Sequence, residues 1–449
     1  MRERFKRSPS VLNLSFTKIV FFGFALLIVA GGLLLMLPFA TAEGETTTFL
    51  GALFTSTSAT CVTGLVVYDT GTHWTLFGKG VILTLIQIGG LGFVTIISTF
   101  FLMIKRDVGL RQRMLIMQST GALEMGGILP YVKRVVKGTL FFEGCGAVLL
   151  AFRFVPIFGW ARGIWLSVFH AVSAFCNAGF DLMGGYNSFT AYQSDVLVNV
   201  TLCMLIVIGG IGFFVWADLL KNKFKFKKYR LHTKLVLVCT AVLIVGGALM
   251  FLVLENKGSL SGLSASEKLG ASFFQSVTMR TAGFNTVDFA KLSDGGALLC
   301  VFLMFIGGSP GSTAGGLKTT TFVILILAAI ASARRKKDIF IFGRKIDGND
   351  ILTATAVGTL YIMIAFVAIL VISSLEGFPL TQIMFEVVSA ENTVGVTMGI
   401  TRDFGVISKI IIMLLMFIGR IGGLTLALLF LEEAGSANVS RPTEKILVG

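Results

Sequence analysis

Charge is scarce in this chain. Of its 449 residues only 14% are Asp, Glu, Lys or Arg, against about 25% in a soluble globular protein. Histidine is nearly missing: His73, His170 and His232 stand far apart, without H-E-x-x-H or any comparable ligand spacing. The six cysteines (61, 145, 176, 203, 239 and 300) contain no C-x-x-C pair. They predict neither a disulfide nor a metal site, and packing as small hydrophobes is their expected role. No acid–base, nucleophilic or metal-binding constellation emerges, so the chain is not expected to be an enzyme or to bind a cofactor.

What is there is apolar. Hydrophobic residues make up 55%, with 41 Phe, and mean hydropathy is +0.86. Eight segments look long enough to cross a bilayer at about 20 residues each: 19–39, 81–104, 138–160, 196–219, 235–254, 297–331, 351–375 and 404–431. Ala40-Thr41-Ala42 resembles a signal-peptide cleavage site, but the apolar run before it is too long for a signal peptide and reads as the first span. The Phe residues are expected to face lipid or pack in the core.

The net charge of +14 could suggest nucleic acid, yet its distribution argues against that. Most of the 38 Lys and Arg fall within 1–18, 105–137, 221–234, 334–345 and the tail after 431. Eight spans place all five segments on one side, which the positive-inside rule makes cytoplasmic. Both termini are then cytoplasmic. The basic runs serve topology and attraction to anionic lipid, with docking of a cytosolic partner as a further use.

The sixth segment is broken by IGGSPGSTAGGLKTTTF, from Ile306 to Phe322. Gly311, Gly316, Lys318 and Thr319 come near the phosphate-loop pattern, but Leu317 spoils the spacing and no strand precedes it. The other reading is irregular backbone lining a water-filled pore, tolerated at membrane depth only in such surroundings.

A fourfold repeat favours the second reading. TSTSATCVTGL (55–65), HAVSAFCNAGF (170–180), FQSVTMRTAGF (274–284) and EVVSAENTVGV (386–396) each lead a short apolar half-helix into a glycine turn. They lie roughly a quarter of the chain apart. The spans that follow share LIQIGGLGF, LIVIGGIGF, LMFIGGSPG and LMFIGRIGG. The predicted fold is therefore an all-α polytopic membrane protein, with four pseudo-symmetric span, pore-loop, span repeats around one central pore. The division is a cytoplasmic N-terminus 1–18, repeat 1 at 19–104, repeat 2 with its preceding cytoplasmic segment at 105–220, repeat 3 at 221–333, repeat 4 at 334–431 and a cytoplasmic tail 432–449.

Half-helices of about ten residues are re-entrant rather than spanning. Four of them would bring Cys61-Val62-Thr63-Gly64, Cys176-Asn177-Ala178-Gly179, Arg280-Thr281-Ala282-Gly283 and Asn392-Thr393-Val394-Gly395 together. Such turns present a ring of carbonyls that replaces the hydration shell of a cation, with negative helix C-termini aimed at it. Arg280 should point away from the ion path, and Glu391, in the neighbouring place of the next repeat, is a candidate for an ion pair with it. An Arg280 that braces the filter loop through backbone carbonyls is the alternative. Arg420 replaces the second glycine of I-G-G, midway down a pore-lining span, and intramembrane charge defaults to a functional reading. Gly307, Gly308, Ser309, Pro310, Gly311, Ser312, Thr313, Ala314, Gly315 and Gly316, with Lys318 and Arg420, form the expected gate, the other repeats being expected to continue there as helix. His170 reads as a helix-packing residue.

TCVTGL, CNAGF, RTAGF and TVGV, with the paired spans around them, resemble the Trk/Ktr/HKT superfamily of potassium transporters, closest to the bacterial Ktr-type membrane subunit, over about residues 15–430. The resemblance implies K⁺ bound at the filter carbonyls and taken up across the plasma membrane, often with Na⁺ dependence. It also implies an intramembrane loop and an arginine below the filter, and a homodimer resting on a cytosolic nucleotide-binding ring. Relatives that prefer Na⁺ tend to carry Ser at the first filter glycine, where this chain has Gly64. Glu391 departs from the apolar or small residue usual in close relatives. Alternatives are a tightly coupled Na⁺/K⁺ or H⁺/K⁺ symporter, whose folds usually show inverted repeats, and a membrane enzyme with a phosphate-binding loop.

Overall fold

The computed structural model describes residues 16–92, 128–223, 225–336 and 338–422. Both termini, the basic stretch 105–127, the ends of segments 81–104 and 404–431, and Lys337 lie outside these residues.

Each repeat contributes a long first helix, a half-helix and a second helix. In repeat 1 these are Phe16–Leu35, Phe49–Cys61 and Leu76–Leu91. Repeat 2 has Ile128–Phe158, Trp160–Phe175 and Val196–Gly210, followed by Phe213–Asn222. Repeat 3 has Leu231–Glu255, Ala265–Thr278 and Asp294–Phe305, followed after the Gly-rich loop by Thr319–Ala333. Repeat 4 has Gly348–Leu375, Leu380–Glu391 and Val406–Ile421. A two-stranded hairpin, Phe340–Ile341 with Arg344–Lys345, shapes the basic segment between repeats 3 and 4.

Local chemistry sets the boundaries. Thr48, Thr75, Asp195 and Ser293 each accept a backbone N–H at a helix start, satisfying one of the donors left unpaired there. Ser264 and Glu267 form a reciprocal capping box on the third half-helix. In repeat 2 the half-helix doubles back after Gly159 alone, and a side chain at Gly163 would meet the Val155 backbone.

The ring closes by a single packing rule. The second helix of each repeat packs against the half-helix of the next: Leu76–Leu91 on Trp160–Phe175, Val196–Gly210 on Ala265–Thr278, and Asp294–Phe305 on Leu380–Glu391. The last, Val406–Ile421, packs on the first half-helix, Phe49–Cys61. One apolar core accordingly joins repeats 4 and 1, through Phe54, Leu65, Ile383, Val387, Ile412 and Met416. The first helices lie outermost. Phe152, Val253 and Phe366 on them are largely exposed while Phe154 and Phe251 are buried, so the aromatics divide between the outer surface and the core as expected.

One expectation is corrected. Among the described residues, only the four first helices are, by themselves, long and apolar enough to cross a membrane, with the bent pair Val196–Gly210 and Phe213–Asn222 as a fifth if it is one span. The second helices do not continue past I-G-G in repeats 1, 2 and 4. They stop at Gly92, Gly212 and Gly422, all at positive φ (83°, 96° and 95°), and in repeat 2 the chain bends by 95° into Phe213–Asn222. Glycine adopts this left-handed backbone without the strain a side chain would add. The second helices of repeats 1, 2 and 4 thus end at or just after I-G-G, and that of repeat 3 ends at Phe305, just before it.

The first glycine of I-G-G has a separate cause. A Cβ on Gly89, Gly209 or Gly419 would sit 2.0, 2.0 or 1.9 Å from the carbonyl oxygens of Thr60, Phe175 and Glu391, the residues just before each filter turn. Gly89→Ala should therefore lower stability by about 1–3 kcal/mol through overpacking against backbone. Gly246→Ala, in an open helical position, should raise it by up to about 1 kcal/mol. Thermal unfolding of the purified variants checks both; equal effects would show that the close approach is not limiting.

Candidate functional site

The four half-helices end in the same backbone gesture. Val62, Asn177, Thr281 and Thr393 all take left-handed angles, with φ of 58°, 57°, 65° and 50°. Two residues later Gly64, Gly179, Gly283 and Gly395 have φ of 99°, 69°, 85° and 92°. Left-handed β-branched residues are sterically unfavourable, so their recurrence at one register position marks an imposed geometry.

These turns meet. A side chain on Gly64 would lie 2.6 Å from the Ala178 carbonyl oxygen, one on Gly179 would lie 2.9 Å from that of Ala282, and one on Gly283 would lie 2.8 Å from that of Val394. One on Gly395 would lie 1.9 Å from the Thr63 oxygen, closing the circle. Carbonyls of all four repeats thus crowd one axis, at the C-terminal, negative ends of four half-helices. The four expected glycines and the carbonyls of Thr63, Ala178, Ala282 and Val394 come together.

Hydroxyls on the half-helices brace the turns. Ser58 and Ser389 accept the Gly64 and Gly395 amides at 3.0 and 3.1 Å. Ser173, Thr278 and Ser389 donate to the carbonyls of Phe180, Phe284 and Val396. Farther out, His170 Nε2 accepts the Leu182 amide at 3.0 Å, and Glu386 accepts the Met398 amide at 2.9 Å from the equivalent position. Sequence reasoning missed these braces, and His170 does more than pack. The signal was a Ser three residues before the turn in repeats 1, 2 and 4.

Beneath the ring, the loop from Gly307 to Gly316 crosses between repeats 2 and 4. The amides of Ser309 and Thr313 donate to the carbonyls of Gly210 (3.0 Å) and Gly209 (3.3 Å), and that of Gly316 to the carbonyl of Gly419 (3.2 Å). Leu317 donates to Asn392 Oδ1 at 3.0 Å, and the Thr313 hydroxyl to the Phe175 carbonyl at 3.1 Å. Arg420 donates to the carbonyls of Thr313, Gly89 and Gly90. Its guanidinium joins the loop to the broken helix of repeat 1. Lys318 Nζ turns back onto Ala314 O at 2.7 Å, where a phosphate-binding lysine would have to point outward.

The Arg280–Glu391 ion pair does not form. Neither carboxylate oxygen of Glu391 has a hydrogen-bond partner, and neither has Arg280 Nε. The Arg280 carbonyl accepts from Asn177 Nδ2 at 3.3 Å. A further buried carboxyl, Glu143, escaped the sequence reading. It hydrogen-bonds Gln87 and lies 3.8 Å from the thiol of Cys176. All six cysteines are free, and the described residues hold no cluster of His, Cys, Asp and Glu able to bind a metal.

The TrkH family model, a cation transport protein, matches residues 9–441. The chain is 43% identical over 444 residues to the potassium/sodium uptake protein NtpJ of Enterococcus hirae, covering 97% of this chain and 98% of that one. It is 42% identical to the Ktr system potassium uptake protein B of Bacillus subtilis, covering 95% of each. The fold matches the crystal structure of the potassium transporter TrkH from Vibrio parahaemolyticus with a TM-score of 0.75, at 20% identity, over 95% of this chain and 87% of that one. A fourfold carbonyl ring on a multi-pass helical frame and near-complete coverage of these relatives agree: the chain belongs to the TrkH family of cation transport proteins.

Proposed function

We propose that this protein takes up K⁺ selectively across the plasma membrane, through the carbonyl ring and past the loop, with both termini cytoplasmic. The observation that carries this reading is the mutual approach of Gly64, Gly179, Gly283 and Gly395, which leaves only backbone oxygen at the axis. Such a ring offers a dehydrated cation oxygen ligands from four sides. The membrane potential is worth about 2.3 kcal/mol per charge per 100 mV, enough for roughly 50-fold accumulation at about 1.4 kcal/mol per decade. No side chain in the site is arranged for phosphate chemistry.

The loop and Arg420 act as the gate. The loop lies where all four second helices break, and Arg420 adds a fixed positive charge on the cation path. Helix Thr319–Ala333 leads from it to the basic hairpin segment. A cytosolic nucleotide-binding subunit that moves this helix would bias the loop between two states. The name of the Bacillus subtilis relative makes it one component of a Ktr system, which supports such a partner, beneath a homodimer of this chain. The Enterococcus relative is named for potassium and sodium, so Na⁺-coupled symport is the second reading. Tracer uptake with K⁺ alone and with K⁺ plus Na⁺ separates them, because strict coupling abolishes flux without Na⁺.

Three outcomes are expected in liposomes. Gly395→Ser places a side chain against the Thr63 carbonyl and should reduce K⁺ over Na⁺ discrimination on the order of tenfold, the ratio for about 1.4 kcal/mol. Unchanged discrimination in all four single Gly→Ser variants would mean the ring is not the filter. Arg420→Ala removes both the charge and the ties to Thr313, Gly89 and Gly90. Flux without a partner should rise on the order of tenfold, since a nearby charge in a poorly solvated path contributes at least this much to the barrier. A folded variant with lower flux would assign Arg420 a bracing role. Deleting Ser309–Ala314 should likewise free flux from the partner while keeping selectivity, and a deletion variant that still needs the partner as the wild type does would exclude the loop as gate.

A further inference from the structure

Repeats 2 and 3 are separated by a cleft that the transport pathway does not use. It is bounded by Val196–Gly210, the first helix of repeat 3 and the half-helix Ala265–Thr278, with a volume of about 500 Å³. Its trough is apolar, formed by Cys203, Val207, Ile208 and Phe274, with Val200 and Met204 exposed along it. Its rim, at the N-terminal ends of both bounding helices, is polar: Asn199 and Glu267 face it, with Gln193, Ser194 and Ser266.

The rim is biased toward acceptors. Asn199 Nδ2 donates to the carbonyls of Tyr192 and Gln193 at 3.0 and 2.8 Å, leaving Asn199 Oδ1 buried without a partner. Glu267 receives the hydroxyl and amide of Ser264 on Oε2, at 2.7 and 3.0 Å. These hydrogen bonds hold its carboxyl below the usual range, so it is charged at neutral pH. An orphaned amide oxygen beside an apolar trough is unfavourable in a bilayer unless a donor reaches it. An acceptor and a negative charge together call for a positively charged donor.

The trough gives the remainder of the ligand. From Asn199 to Ile208 the helix rises about 14 Å, close to the roughly 15 Å hydrocarbon depth of one leaflet. An acyl chain laid along Val200, Met204 and Val207 would place its headgroup at Asn199 and Glu267. We propose that this cleft binds an outer-leaflet phospholipid whose headgroup carries an ammonium group, with the ammonium on Asn199 Oδ1 and the Glu267 carboxylate. The outer-leaflet assignment rests on the orientation given under the proposed function. A headgroup bearing only phosphate negative charge is opposed by Glu267. The bound lipid would clamp the start of the half-helix that ends at Thr278 and Arg280, so the site steadies one quarter of the ring.

Native mass spectrometry of the purified full-length protein with equal amounts of phosphatidylethanolamine and phosphatidylglycerol tests this. The wild type should bind phosphatidylethanolamine with at least about tenfold preference. Glu267→Gln, which retains a capping-box residue, should bring that preference close to onefold. Met204→Trp should block both lipids by filling the trough. Unfolding temperatures without lipid that match the wild type verify folding, and Val200→Trp substitutes for Met204→Trp if the latter does not fold. Equal binding of the two lipids by the wild type, or an unchanged preference in Glu267→Gln, would overturn the proposal. So would efficient disulfide crosslinking of Met204→Cys between two copies in vesicles, which would make a second copy the occupant. The readout is binding, so its failure leaves the potassium reading intact. Labelling of Glu267→Cys by an impermeant thiol reagent from outside the cell tests the orientation separately.

Discussion

The structure depends on bringing four backbone turns to one axis where no side chain fits. Each turn holds a left-handed residue, three of them β-branched, at an energetic disadvantage of order 1–3 kcal/mol. The surroundings must over-determine such a geometry, and they do so in two layers. Ring packing fixes where each half-helix ends, because the second helix of one repeat packs on the half-helix of the next. The Ser and Thr braces then fix the amides and carbonyls just beyond that end, at about 0.5–1.5 kcal/mol net each. Gly89, Gly209 and Gly419 let the second helices approach the carbonyl before the turns of repeats 1, 2 and 4. Without that approach the half-helices would stand farther out and the ring would open.

The same glycines create the second constraint. Helices that stop inside a membrane leave carbonyls without their usual partners. Here the loop and Arg420 take them up: Gly209 and Gly210 through Thr313 and Ser309, Gly419 through Gly316, and Gly89 and Gly90 through Arg420. Helix breaks, loop and arginine are thus one arrangement rather than three features. A loop that moves aside would leave the carbonyls of Gly209, Gly210 and Gly419 to water or ions. On the proposed gating, opening would be a hydration event as much as a displacement, and a passing cation would find oxygen ligands already exposed.

How much of this the sequence revealed follows from the physics of each element. The ring residues were legible because close approach leaves glycine as the residue that fits, and four glycines at matching positions stand out. The interruption in repeat 3 was legible because Ser-Pro-Gly cannot continue an apolar helix. The breaks in repeats 1, 2 and 4 were not, because LGF, IGF and IGG lie within apolar text and a lone glycine is tolerated inside a helix. The braces were hidden because Ser and Thr in an apolar half-helix also bond their own helix, as Thr55 and Ser167 do. The Arg280–Glu391 pair failed because neighbouring register on a ring says nothing about side-chain direction. Arg280 Nε and both carboxylate oxygens of Glu391 are left without hydrogen-bond partners, and Glu391 ends a helix whose last carbonyl abuts Gly419.

Departures from fourfold symmetry carry the remaining information. Repeat 2 alone has an amide at the left-handed position, Asn177, and repeat 4 alone has one at the first position of the turn, Asn392. Asn177 donates to the Arg280 carbonyl on one side and faces the Thr313 hydroxyl on the other. Asn392 accepts the Leu317 amide. Both residues therefore belong to the ring and to the loop at once. Loss of Thr313 frees one face of Asn177 but leaves its hold on the Arg280 carbonyl, and Leu317 lies beyond the Gly-Ser portion of the loop. On the proposed gating, the ring would keep its shape while the loop changes place. The two asparagines, with the Thr313 hydroxyl on the Phe175 carbonyl, thus tie the asymmetric loop to the ring.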